Sequence, residues 1–110
     1  MSERLAVGEI APEFTLPTPQ GAVSLDGLLD QCDTGVIVYC YPKAQTPGCT
    51  RQACDFRDAL TALRHGGYRV VGISPDPIEN LERFAAAESL CFPLASDPDH
   101  HTLAAYGAWG

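Results

Sequence analysis

The sequence predicts an α/β layered fold with a largely parallel sheet, and three features predict it. First, Val36-Ile37-Val38-Tyr39-Cys40-Tyr41 and Tyr68-Arg69-Val70-Val71-Gly72-Ile73-Ser74 are runs rich in β-branched and aromatic residues, as buried strands require. Second, each run is followed by apolar residues at helical spacing. Ala53, Phe56, Leu60 and Leu63 follow the first run, and Ile78, Leu81 and Phe84 or Ala85 follow the second. Third, Phe92-Pro93-Leu94-Ala95 forms a shorter run after the second helix, so strands and helices alternate along the chain.

The elements follow in order. Residues Met1 to Glu9 are polar, with fraying expected at the start. Phe14-Thr15-Leu16 and Ala22-Val23-Ser24-Leu25 make an N-terminal hairpin around the turn-rich segment Pro17 to Gly21. Ser24 to Gln31 adds one short helix with Leu28 and Leu29 facing inward, and Gln31 to Gly35 is a surface loop. Pro42 ends the first buried strand, because it has no N–H to give to a ladder. The long helix closes at Gly66-Gly67, with Arg64 and His65 matching its negative end. Asp76, Pro77 and Glu79 read as the cap of the next helix. Pro93 puts the third strand at a sheet edge. Asp97-Pro98-Asp99-His100 leads into a last helix over Asp99 to Tyr106.

The chain of 110 residues has room for one domain, residues 1–110, and its apolar content of 45 % is ordinary for a globular protein. A net charge of −7 argues against nucleic acid or an anionic membrane surface as partner. No apolar run approaches the length of a membrane span. The segment MSERLAVGEIAPEF shows no basic stretch followed by an apolar one, so no signal peptide is expected. Five cysteines without framework spacing favour a reducing cytoplasm.

Chemistry concentrates where the first strand passes into its helix. Cys49 sits at the helix start, where unpaired N–H groups and the helix dipole favour a thiolate over a thiol. It lies one turn before Ala53, on the apolar face, and so should point toward the sheet at the bottom of a pocket. Cys54 follows five residues later. In an intact helix it is rotated by about 140° and raised by about 7.5 Å, beyond the usual reach of a disulfide. The two sulfurs can join only if the first turns of the helix unwind, so oxidation of Cys49 should fray it.

The string Tyr41-Pro-Lys-Ala-Gln-Thr-Pro-Gly-Cys-Thr-Arg-Gln-Ala-Cys54 contains Pro42-x-x-x-Thr46-x-x-Cys49 and resembles the active-site signature of the peroxiredoxins. It is similar to the bacterioferritin comigratory protein (peroxiredoxin Q) subfamily, which keeps a second cysteine five residues after the first. The resemblance extends to Phe14-Thr-Leu-Pro, Val71-Gly-Ile-Ser-Pro-Asp, Phe92-Pro-Leu and Ser96-Asp-Pro-Asp. It implies a thioredoxin-like fold and a thiol peroxidase. Cys49 would be the peroxidatic nucleophile and Cys54 the resolving cysteine. Thr46 would donate a hydrogen bond to thiolate or peroxide, and Pro42 would shield the pocket. Hydroperoxide is then the substrate and thioredoxin or a similar dithiol the reductant. No cofactor or metal is needed, and the family expectation is a monomer.

The remaining candidates carry less. Cys32 and Cys40 read as inert fillers. Cys91 is a second candidate for resolution. His65, His100 and His101 read as surface histidines, and with no CxxC or HxxxH spacing a zinc site is not expected. Arg51 and Arg57 follow Cys49 on the helix, where they could raise the local potential, but read more simply as solvated, or as paired with Asp55 and Asp58. The resemblance also implies a departure. The chain stops at Trp109-Gly110, whereas the family continues through a pocket arginine, two strands and a helix. A truncated and weakened catalyst is therefore expected, with the strand Val36–Tyr41 an open edge able to pair with another chain. Two alternatives stand beside the peroxidase: a thioredoxin-like module that binds a partner through that edge, and a thiol–disulfide oxidoreductase.

Overall fold

The computed structural model describes residues 8–44 and 46–108. The fraying expected at the chain start concerns residues 1–7, which lie outside the described residues, as do Trp109 and Gly110. Strands β1 (Thr15–Thr18) and β2 (Gly21–Ser24) pair antiparallel, with Thr15 opposite Ser24 and Thr18 opposite Gly21. The turn is tighter than Pro17 to Gly21. Only Pro19 and Gln20 lie between the strands, because the Thr18 hydroxyl donates to Gly21 O at 2.7 Å and accepts from Gln20 N at 3.1 Å.

Helix α1 (Leu25–Asp30) is capped by Ser24, whose hydroxyl accepts from Gly27 N at 3.0 Å. Leu25 and Leu28 are buried, but Leu29 is 46 % exposed, against expectation. A helix of six residues buries only a narrow stripe, and Leu25 and Leu28 occupy it.

Strands β3 (Gly35–Cys40), β4 (Tyr68–Ser74) and β5 (Leu94–Ser96) form a parallel sheet in the order β3-β4-β5. Val36 pairs with Arg69 and Cys40 with Ile73; Gly72 pairs with Leu94 and Ser74 with Ser96. Both β3 and β5 are edges of this sheet among the described residues, as the sequence predicts. The ladder reaches one residue past β3, with Tyr41 N donating to Ile73 O at 3.0 Å, and stops at Pro42. Parallel pairing sends the loops after all three strands out on one side of the sheet.

The two faces of the sheet pack separately. Tyr39, Val70 and Leu94 face α2 (Pro47–His65) and α3 (Ile78–Glu88), in a core with Tyr41, Ala53, Leu60, Leu81, Phe84 and Phe92. Val71, Ile73 and Ala95 face the other way, onto Phe14, Leu25, Leu28 and Leu103 of α4 (His101–Ala105). Strand alternation makes this division. It sends Tyr39 to one face and Val38 and Cys40 to the other.

Helix α2 closes at Gly66-Gly67 as its sequence predicts, with Gly67 taking the left-handed φ of +84°, while two other element ends shift. A Cβ on Gly67 would lie 2.6 Å from Thr34 Oγ1, while its carbonyl accepts from Asp33 N and Thr34 N. Helix α3 begins at Ile78 with Pro77 as its cap residue, and Asp76 does not cap it because its carboxylate is engaged elsewhere. Helix α4 is shorter than Asp99 to Tyr106, because the buried Asp97 carboxylate accepts from Leu103 N at 2.8 Å and sets where the helix begins.

Gly72 is where β4 meets the aromatic core. Tyr39, opposite it in the register, lays its ring across the strand, and a Cβ on Gly72 would fall 2.8 Å from Tyr39 Cζ. The ring is held by stacking on Phe56 (centroids 4.7 Å) and Tyr41 (5.4 Å), so it cannot swing aside. Gly72→Ala should therefore destabilise the fold by about 1–3 kcal/mol, read as a fall in the urea midpoint without loss of the transition's steepness.

Candidate active site

Cys49 is the third residue of α2, whose N-cap is Thr46. Pro47 occupies the first helical position, where a missing N–H costs nothing, and Thr50 N closes the first turn on Thr46 O at 2.8 Å. No acidic side chain lies in that turn, so no carboxylate of the turn itself offsets its positive end. Cys49 is half-buried and packs against the Tyr39–Tyr41–Ala53 core. It faces the sheet, as the spacing to Ala53 predicts.

Thr46 makes no side-chain cap. Its hydroxyl donates to Lys43 O at 3.0 Å and closes the loop before the helix. Pro42 is exposed at the loop's start. Cys54 lies on another side of α2, where its thiol donates to Glu88 Oε1 at 3.3 Å. Burial raises the Cys54 thiol above its ordinary range, and the Glu88 carboxylate raises it further while Arg57 opposes. The structure therefore places Cys49 and Cys54 on one unbroken helix but against different partners, and does not bring them together.

The other cysteines are dispersed. Cys40 lies on the opposite sheet face from the Tyr39 core, its thiol raised by burial and by Asp97. Cys32 donates to Leu29 O at 3.4 Å, and Cys91 is exposed with its thiol directed to Ser89 O at 3.7 Å. Cys91 lines an open cavity of about 570 Å³ with Gln20, Val23, Gln31, Leu90 and Phe92, and neither Cys49 nor Cys54 belongs to that lining. Arg57 pairs with Asp58 at 3.0 Å and also donates from Nη1 to Glu88 O at 2.8 Å. Among the described residues, no three His, Cys, Asp or Glu side chains come together as a metal site.

Two features near Cys49 are not predicted by the sequence. Tyr39 and Tyr41 are buried with hydroxyls that lack hydrogen-bond partners among the described residues. Burial pushes both phenols well above the usual tyrosine range, with Cys49 adding to each, so they stay protonated. Ser74 lies near enough to Tyr41 to oppose that rise, but its own hydrogen goes to Asp76.

Asp76 is the second feature. It is 8 % exposed, and Oδ2 accepts from Ala44 N at 2.7 Å and from the Ser74 hydroxyl at 2.8 Å. Its carbonyl accepts from the Ser96 hydroxyl at 2.6 Å. The carboxylate thus ties the loop that leads into α2 to the end of β4, and the Asp76 carbonyl adds the end of β5. The bond to Ala44 spans 32 residues of sequence, so local capping rules point instead to the helix beside Asp76.

With the fold and these contacts in view, comparison with known proteins assigns the family. The model of the AhpC/TSA family matches residues 7–110. The chain belongs to the AhpC/TSA family. It is a peroxiredoxin similar to the bacterioferritin comigratory proteins. It is 53 % identical over 107 residues to a putative peroxiredoxin of Mycobacterium tuberculosis, covering 97 % of this chain and 67 % of the relative. It is 48 % identical over 106 residues to peroxiredoxin Bcp of Escherichia coli, covering 96 % and 67 %. The crystal structure of peroxidoxin BcpB from Mycobacterium tuberculosis superposes with a TM-score of 0.85 at 36 % identity, covering 91 % of this chain and 64 % of that one. A Xanthomonas campestris bacterioferritin comigratory protein, whose structure is described for its alkyl peroxide reduction activity, matches with a TM-score of 0.78 at 28 % identity, covering 86 % and 59 %. The chain thus spans about two thirds of the length of its curated peroxiredoxin relatives.

Removing the Asp76 acceptor isolates its role in this site. Asp76→Ala strands the buried Ala44 N–H and should cost about 1–3 kcal/mol of stability, with faster amide exchange at Ala44. Asp76→Asn keeps an acceptor oxygen and should retain most of the stability. Equal losses in both variants would show that charge, not the bond, holds the loop.

Proposed function

We propose that this peroxiredoxin chain reduces hydroperoxides through Cys49. The observation that carries the proposal is the placement of Cys49 in the first turn of α2, at the helix's positive end, directly after a loop pinned by Asp76. The Cys49 thiolate attacks one peroxide oxygen, the O–O bond breaks, and Cys49 becomes a sulfenic acid as water or an alcohol leaves. First-turn N–H groups and the Thr46 hydroxyl, rotated off Lys43 O, stabilise the peroxide oxygens, and Pro42 screens the loop from water. Cys54 then condenses with the sulfenic acid.

Helix geometry supports a conformational step between these events. With α2 intact from Pro47 to His65, the two sulfurs cannot meet, so its first turns must unwind before the disulfide forms. Thioredoxin or a similar dithiol then reduces the bond by exchange. The single domain works without metal or cofactor, in the cytoplasm, as a monomer, with no call on nucleic acid or membrane. The net charge of −7 and the five free thiols support that setting. Among the described residues no helix is long and apolar enough to cross a membrane.

Intact mass after one equivalent of peroxide tests these roles. The parent chain should form a Cys49–Cys54 disulfide, Cys54→Ser should hold a sulfenic acid on Cys49, and Cys49→Ser should leave the peroxide unconsumed. Peroxide consumption by Cys49→Ser at the parental rate would overturn the proposal.

A further inference from the structure

Glu88 makes two bonds to α2, one at the end of the segment that must unwind and one a turn beyond it. Its carboxylate accepts from the Cys54 thiol at 3.3 Å, and its main-chain carbonyl accepts from Arg57 Nη1 at 2.8 Å. Glu88 is the last residue of α3, and the next residue, Ser89, turns left-handed with φ 54°. A carboxylate there sits at the negative end of its own helix, which is unfavourable unless donors compensate. Here the donors come from α2: the Cys54 thiol takes the carboxylate, and the Arg57 guanidinium takes the free carbonyl at the helix end while pairing with Asp58. The second and third turns of α2 are thereby fastened to the end of α3.

Resting on the assignment of Cys54 as the partner of Cys49, we propose that Glu88 is a clamp on disulfide formation. It holds Cys54 and Arg57 against α3, and its release sets how quickly Cys54 reaches the oxidised Cys49. The covalent step balances without a further reagent. The S–O bond of the Cys49 sulfenic acid breaks, the S–S bond forms, and the Cys54 proton leaves with the hydroxyl group as water. Until the clamp opens, the sulfenic acid is exposed to a second hydroperoxide, which converts it to sulfinic acid as that peroxide's O–O bond breaks and water or an alcohol leaves. Clamp strength therefore sets how the oxidised protein divides between disulfide and sulfinic acid. The raised Cys54 thiol agrees with this arrangement, since the clamped residue is a hydrogen-bond donor and not a poised nucleophile.

Acid-quenched mass spectrometry on the 110-residue chain, combined with amide exchange, tests the clamp. Glu88→Ala should speed disulfide formation by about threefold to tenfold, the loss expected for one net hydrogen bond, and lower the sulfinic fraction at high peroxide. Arg57→Ala should shift both in the same direction. Glu88→Gln keeps an acceptor for the thiol and should stay near the parent. Exchange should rise across residues 50–57 in Glu88→Ala but not across β4, which separates local release from general destabilisation. An unchanged disulfide rate would overturn the clamp, and a slower one would make Glu88 a proton acceptor for Cys54. If the parent chain forms no Cys49–Cys54 disulfide, the assignment of Cys54 falls and the clamp falls with it. A disulfide formed at one rate in parent and variant overturns the clamp alone.

Discussion

One buried oxygen, Oδ2 of Asp76, holds the cysteine loop to the sheet. A carboxylate taken out of water is costly unless donors replace the lost solvation. Here the Ala44 amide and the Ser74 hydroxyl do so, while Ser96 takes the Asp76 carbonyl. The three partners come from the loop before α2, the end of β4 and the end of β5. The loops of a parallel sheet emerge on one side in any case, but this contact fixes the spacing between them. Helix α2 starts where the loop ends, and so the direction of Cys49 into the aromatic core depends on that one acceptor.

The helix that presents Cys49 also keeps its proposed partner away. Cys49 packs against the Tyr39–Tyr41 core, while Cys54 turns to Glu88. This separation follows from helix geometry alone, and it ties the chemistry of the site to the stability of two helical turns. The core under Cys49 is rigid for a related reason. Tyr39 is stacked between Phe56 and Tyr41 and fills the place where Gly72 lacks a side chain, so the floor beneath the cysteine has little freedom to move. The part free to respond to oxidation is the start of α2, where Pro47 and Gly48 are exposed, while the following turns meet the end of α3.

Peroxiredoxin ancestry, the strand and helix order, and the position of Cys49 at a helix start were all legible in the residues. Strand Tyr68–Ser74 lies where its composition puts it, and Ala53 and Leu60 of α2 face inward as their spacing requires. Local rules failed at Asp76, whose partner came from far along the chain, and at Leu29. Asp76 beside Pro77 has the form of a helix cap, yet its carboxylate serves Ala44, 32 residues earlier. Leu29 has the spacing of an inward residue, yet α1 is too short to bury it.

By itself, the sequence determined the periodicities, the strand terminator at Pro42 and the spacing of Cys49 and Cys54, because each depends only on near neighbours and on the repeat of helix or strand. The tertiary structure decided what each cysteine meets. Cys40 faces Asp97 across the sheet from the aromatic core, Cys49 meets the Tyr39 core, and Cys54 meets Glu88, 34 residues away. Such pairings are set by how the layers stack, and burial and hydrogen bonding between distant segments leave no periodic trace in the chain.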